Sequence, residues 1–157
     1  MLTCRELRFH TLDAAVTDAE ILLARGYERT GNWSLGQCAG HLANWLTYQL
    51  DGIPSLPFFL KPIFWIVRKT SASKMLNKVI REQKMPIGAA TAPASIPSGD
   101  VDDRAELERF KIAASRWLNH TGPYVPSPLF GDQSKAWFLA LHLVHAAHHL
   151  SFLVPKG

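Results

Sequence analysis

Cysteine is scarce in this chain of 157 residues: Cys4 and Cys38 are the only two, too few for a disulfide framework. No segment reaches the roughly 18 uninterrupted apolar residues that a membrane span requires. The first residues, MLTCRELRFH, lack the apolar stretch of a signal peptide. The expectation is a cytoplasmic protein with no membrane span. Charge is also sparse, at 19% of residues, with 17 Lys and Arg against 13 Asp and Glu and a net charge of +4. The isoelectric point near 9.3 invites a nucleic-acid partner. The positive residues, however, are spread out or gathered in one insert, and no recognised reader motif accompanies them. Nucleic acid is therefore excluded as the leading partner. The apolar content of 47% and the length suffice to bury a core without staples, so a single domain over 1–157 is expected.

What the chain does have is histidine. Four of its seven lie in the run WFLALHLVHAAHHLSFL: His142, His145, His148 and His149. Imidazole is the commonest metal-binding side chain, and four of them on one apolar helix call for a reason. With Trp137 as zero and about 100° per residue, His145 falls near 80°, His149 near 120°, His142 near 140° and His148 near 20°. His145 and His149, four apart, share a face; His142 and His145, three apart, are the competing pair. The zincin pattern H-E-x-x-H is ruled out, because Ala146 and Ala147 follow His145. A helical pair supplies only two ligands, and a zinc-like site needs three or four.

A second informative run is NWSLGQCAGHLANWLTY, residues 32–48. Ser34 and Gln37 form a capping box, with Trp33 and Cys38 as the hydrophobic staple, so a helix should start at Ser34. Leu35, Cys38, Leu42, Trp45 and Leu46 recur at helical spacing as its buried stripe. His41 borders that stripe, on a line with Gln37, Asn44 and Tyr48, and on its own reads as a structural histidine. Cys38 reads as a buried structural thiol; lying three residues from His41, it leaves a fourth-ligand role open.

The NWS-capped helix leading to His41-Leu42, followed near the C-terminus by H-x-x-x-H, resembles the DinB/YfiT-like metalloenzyme superfamily. The strings SPLFG and HLVHAAHHLSFL are similar to a branch of it classed as a domain of unknown function. The resemblance covers residues 5–52 and 100–154. It implies that one histidine of the second helix and two of the last bind a divalent ion: His41, His145 and His149. Zinc or nickel is expected, with iron, manganese and cobalt also accepted by such sites. Gln37, Asn44, Tyr48 and His142 are candidates to orient the ligand imidazoles by hydrogen bonds. The resemblance further implies thiol transfer or hydrolysis of a small molecule, and a homodimer is compatible with it. This chain departs from many relatives, which carry a glutamine near Ser151 or Phe152.

The rest of the chain reads as helical. Thr11 caps a helix with Leu12, Ala15, Val16, Ala19, Leu22 and Leu23 inward, stopping at Gly26. Ser34–Leu50 is the second. Asp102 or Asp103 begins a third, with Leu107, Phe110, Ala114, Trp117 and Leu118 inward. Asp132 caps the fourth, which is apolar nearly all round and should be the most buried. The expected fold is all-α, a four-helix bundle with a long crossover between the second and third helices. The crossover, about 53–99, combines the apolar Phe58–Val67 with a helix from about Ser71 to Gln83 and a loop at Ala89–Gly99. Lys61, Arg68, Lys69, Lys74, Lys78, Arg81 and Lys84 face Glu82 alone in it. That charge reads as a solvated face, or as a patch for an anionic substrate or a membrane surface. The rival to a metal-dependent enzyme is a non-catalytic helical binding or dimerisation module with structural histidines.

Overall fold

The computed structural model describes residues 3–52, 73–88, 95–97, 99–126 and 131–157. In chain order these form α1 (Leu12–Arg25), β1 (Tyr27–Arg29), α2 (Leu35–Asp51), α3 (Ser73–Glu82), α4 (Asp103–Leu118), α5 (Lys135–Ser151) and β2 (Leu153–Pro155). The apolar stretch Phe58–Val67, most of the Ala89–Gly99 loop and all of SPLFG but Gly131 lie outside the described residues.

The described residues are mostly helical, as expected, but not purely so. β1 and β2 pair antiparallel, with Tyr27 opposite Pro155 and Arg29 opposite Leu153. Three residues per strand are too few for alternation to stand out in a sequence, so the all-α expectation omits this small sheet. Five helices are described: four long ones and the crossover helix α3, expected from about Ser71 to Gln83 and found at Ser73–Glu82. Leu76 and Val79 of α3 are buried, while Lys74, Lys78 and Arg81 are exposed. By helical projection the three cations lie about 180° from the buried pair, which is the geometry of a solvated face.

The helix starts are local chemistry. Thr11 accepts the Ala14 amide for α1, and Asp102 accepts that of Ala105 for α4. The expected cap of α5 is corrected: Ser134, not Asp132, accepts the Trp137 amide. A cap must immediately precede the first helical residue for its oxygen to reach the first-turn amides, and Asp132 lies two residues too early. Burial is corrected as well. Ten of the 17 residues of α2 are buried against six of 17 in α5, so the more central helix is α2.

The start of α2 and the end of α5 are fully hydrogen-bonded. At the start of α2 the four orphan donors of any helix are all taken. Ser34 N–H goes to Gln37 Oε1 at 3.0 Å, Leu35 N–H to Tyr27 Oη, Gly36 N–H to Asp103 Oδ1 and Gln37 N–H to Ser34 Oγ. The first and last of these are the two halves of the capping box. At the end of α5, the carbonyls of His148 to Ser151 accept in turn from Ser151 Oγ, Cys38 Sγ, the Arg5 guanidinium and the Arg5 amide. Arg5 is itself fixed by a two-pronged pair with Asp18 at 2.7 and 2.8 Å. The α5 register is thereby tied to the N-terminal segment and to α2.

α2 packs most extensively on α4, and two glycines one helical turn apart make this approach close. A side chain at Gly36 would meet Asp103, and one at Gly40 would overlap both Glu106 and the Pro97 ring. The core between the helices is filled by Leu12, Leu22, Leu46, Phe110, Trp117 and Leu150.

Candidate metal centre

His41 projects from the middle of α2, and His145 and His149 from successive turns of α5. The structure brings these three side chains together. His41 Nε2 lies 3.0 Å from His145 Nε2, and His149 Nε2 lies 3.0 Å from the same atom. One ligand atom from each of the three lies within 4.8 Å of the others. An ion held at 2.0–2.1 Å by imidazole nitrogens separates them by roughly 2.8 to 3.4 Å for angles between 90° and tetrahedral. The three histidines are therefore positioned to hold a metal ion.

The tautomer of His41 follows from its other nitrogen. Nδ1 lies 3.2 Å from the Ser95 carbonyl, which can only accept. Nδ1 must carry the proton, and Nε2 turns a bare lone pair toward the other two rings. Burial favours the neutral, ligating form throughout. It pushes His41 down to about 4 and His149 to about 2, and holds His145 well below the ordinary histidine range, with the neighbouring imidazoles adding to the effect on the α5 pair.

Tryptophan walls set the ring orientations. Trp33 stacks flat on His149 with centroids 4.9 Å apart and meets His41 edge-on at 5.1 Å. Trp45 lies edge-on to both His41 and His145, at 6.3 Å from each. In the sequence Trp33 reads only as a staple and Trp45 only as core stripe. Their amphipathic spacing fits those roles, and nothing local marks them as neighbours of a site.

The other candidates are distributed differently. Asn44 donates from Nδ2 to the Ser95 carbonyl at 3.0 Å, sharing that acceptor with His41. Gln37 is engaged in the capping box, and Tyr48 packs edge-on to Trp45. His142 belongs to a separate buried network: its Nε2 and the Trp117 indole N–H both meet Gln49 Oε1, at 2.8 and 2.6 Å. His148 touches His149 only ring-edge to ring, at 5.0 Å. Cys38 donates from Sγ to the His149 carbonyl, and burial pushes its thiol up to about 12. Among the described residues the converging ligand atoms are those of the three histidines, and Cys38 is not one of them.

His142 also gives the metal-free protein a pH dependence. Burial lowers it from 6.5 to about 4. Between those values the unfolded chain holds a proton that the folded chain lacks, so stability falls as pH drops from 6.5 toward 4. At about 1.4 kcal/mol per unit this group alone contributes roughly 3 kcal/mol. Urea unfolding of metal-free protein at pH 7 and pH 4.5 reads this loss together with that of the other buried histidines, with a lower midpoint expected at pH 4.5.

Residues 1–156 match the family described as "Protein of unknown function (DUF1569)". A helical scaffold carrying a three-histidine cluster thus characterises a protein for which the family supplies no activity, and the chain belongs to that family. No curated protein and no solved structure matches it. Among the described residues no helix is long and apolar enough to cross a membrane.

Proposed function

We propose that this protein is a metal-dependent enzyme of the DinB/YfiT-like superfamily, a single helical-bundle domain in which His41, His145 and His149 hold one divalent ion. The convergence of three Nε2 atoms, two contacts of which measure 3.0 Å, carries the reading. Without an ion, neighbouring Nε2 atoms at this distance can share a proton in a hydrogen bond, whereas a cation between them takes a lone pair from all three neutral rings at once. A three-histidine set leaves coordination positions open, and a divalent ion there supplies Lewis acidity toward water or a thiol. The reaction class proposed is thiol transfer or hydrolysis of a small molecule in the cytoplasm, with zinc or nickel as the first candidates.

The role of the protein is to hold the ligands ready. Ser95 keeps the His41 proton on Nδ1, the tryptophans fix the ring planes, and the paired carbonyls at the end of α5 hold His145 and His149 in register. Elemental analysis of protein purified without a histidine tag tests this. About one divalent ion per chain is expected, lost in His41→Ala. Metal-free protein under every loading condition would favour the non-catalytic helical module instead.

A further inference from the structure

The segment between α3 and α4 reads by composition as a flexible loop, yet Ser95 is wholly buried and its carbonyl accepts from two donors of α2. Those donors are His41 Nδ1 and Asn44 Nδ2, at 3.2 and 3.0 Å. Asn44 in turn accepts at Oδ1 from the Arg109 guanidinium at 2.8 Å, and Arg109 donates to Glu106 at 2.5 Å. The chain of hydrogen bonds thus runs from the half-exposed Arg109, paired with Glu106 on α4, through a side-chain amide and the Ser95 carbonyl to the proton of a buried imidazole. Gly40 makes it sterically possible: the space its missing side chain leaves is shared by the Glu106 carboxylate and the Pro97 ring. Ser95 and Pro97 are seated on α2 by this one cluster.

We propose that Asn44 and Arg109 are positioning residues for the metal centre: they seat the Ser95 carbonyl on His41, fix its Nδ1–H tautomer, and so set metal affinity from the α4 surface. The proposal rests on the metal-binding reading above. Its geometry explains why Asn44 is placed as it is. An amide is one of the few side chains that can donate to the carbonyl and accept from Arg109 at once. A carboxylate at this position could accept but not donate, and a methyl group could do neither. Because the seated segment and the bound ion both act through the same imidazole, their stabilisation is reciprocal: metal loading slows amide exchange at Ser95 and Ile96, and a well-seated segment tightens metal binding.

The test uses the full chain and two variants, Asn44→Ala and Arg109→Gln. The second, on a half-exposed side chain, keeps the question open to refutation should the first fail to fold. The His41 tautomer is read in metal-free protein from its ring nitrogen shifts by long-range ¹H–¹⁵N correlation. Affinity is read by titration with Co(II), whose visible bands report coordination geometry. Wild type is expected to hold His41 as the Nδ1–H form alone. Asn44→Ala is expected to give a tautomer mixture and weaken Co(II) binding by roughly 10-fold or more, the ordinary cost of losing an outer-shell partner; Arg109→Gln should give a smaller change in the same direction. Asn44→Asp should fail to restore the tautomer, which a purely steric role for Asn44 would not foresee. Unchanged tautomer and unchanged affinity in both Asn44→Ala and Arg109→Gln would overturn the proposal. If wild type binds no Co(II), the metal reading fails, and the positioning role is still decided by the tautomer arm.

Discussion

Replacing His145 by alanine should remove most of the thermal stabilisation expected from zinc. Both 3.0 Å nitrogen contacts of the cluster run through His145 Nε2, so its removal leaves His41 and His149 as two ligands without the one between them. With zinc in about 1,000-fold excess over Kd, ligand binding to the folded state alone is worth about 4 kcal/mol. For a domain of this size that raises the melting temperature by roughly 8–16 °C. Four-ligand structural zinc sites gain on the order of 10 kcal/mol or more in total, so each ligand carries a few kcal/mol. Losing one of three ligands lowers affinity by a factor of about 100 or more, so at the same zinc concentration the stabilisation falls to about 1.4 kcal/mol or less and the shift to roughly 3–6 °C or less. His148→Ala is the matched control, because His148 meets the cluster only through a ring edge and should leave the shift intact. Scanning calorimetry of the three proteins with and without zinc reads the difference.

The second large effect is on folding rather than on metal. Trp117 is fully buried at the meeting of α2, α4 and α5, where it stacks on Tyr124 at 5.3 Å and donates to Gln49. Trp117→Ala should cost about 4 kcal/mol, the usual range for emptying an aromatic core site being about 3–5 kcal/mol. That is a large part of the roughly 5–15 kcal/mol by which domains are stable. Trp117→Phe separates the contributions. It keeps much of the buried area but removes the indole hydrogen bond, at about 1 kcal/mol, and leaves a smaller cavity than alanine does. Urea unfolding midpoints should fall in the order wild type, Trp117→Phe, Trp117→Ala. An alanine variant within about 1 kcal/mol of wild type would mean that the Gln49 junction is not where the three helices are held.

These two residues show what the sequence discloses and what it hides. Trp117 is legible because its helix keeps a clean 3.6-residue stripe from Leu107 onward. The Ser34–Gln37 box and the Thr11 and Asp102 caps are legible for a similar reason, since every partner lies within four residues. His145 and His149 are legible as a pair from their spacing, whereas His41 reads as structural on its own and is singled out only by a family resemblance. Ser95 is invisible at that level: it contributes a backbone carbonyl, which every residue possesses, from a stretch whose composition reads as loop. Glu106, Arg109 and Gly40 are hidden because their meaning exists only once α2 and α4 are side by side. His142 marks the limit of projecting a helix onto a circle. Its angle lies close to that of His149, but it sits two turns away along the axis, where Gln49 is opposite.

Zinc K-edge X-ray absorption on the zinc-loaded, tag-free protein tests the three-histidine ligand set most directly. The spectrum should show nitrogen or oxygen scatterers alone at about 2.0–2.1 Å, with the outer-shell imidazole pattern of three histidines and no sulfur, since Cys38 is bonded to the His149 carbonyl. A sulfur shell near 2.3 Å, or an imidazole pattern unchanged in His41→Ala, would contradict the assignment of His41, His145 and His149 as the metal ligands.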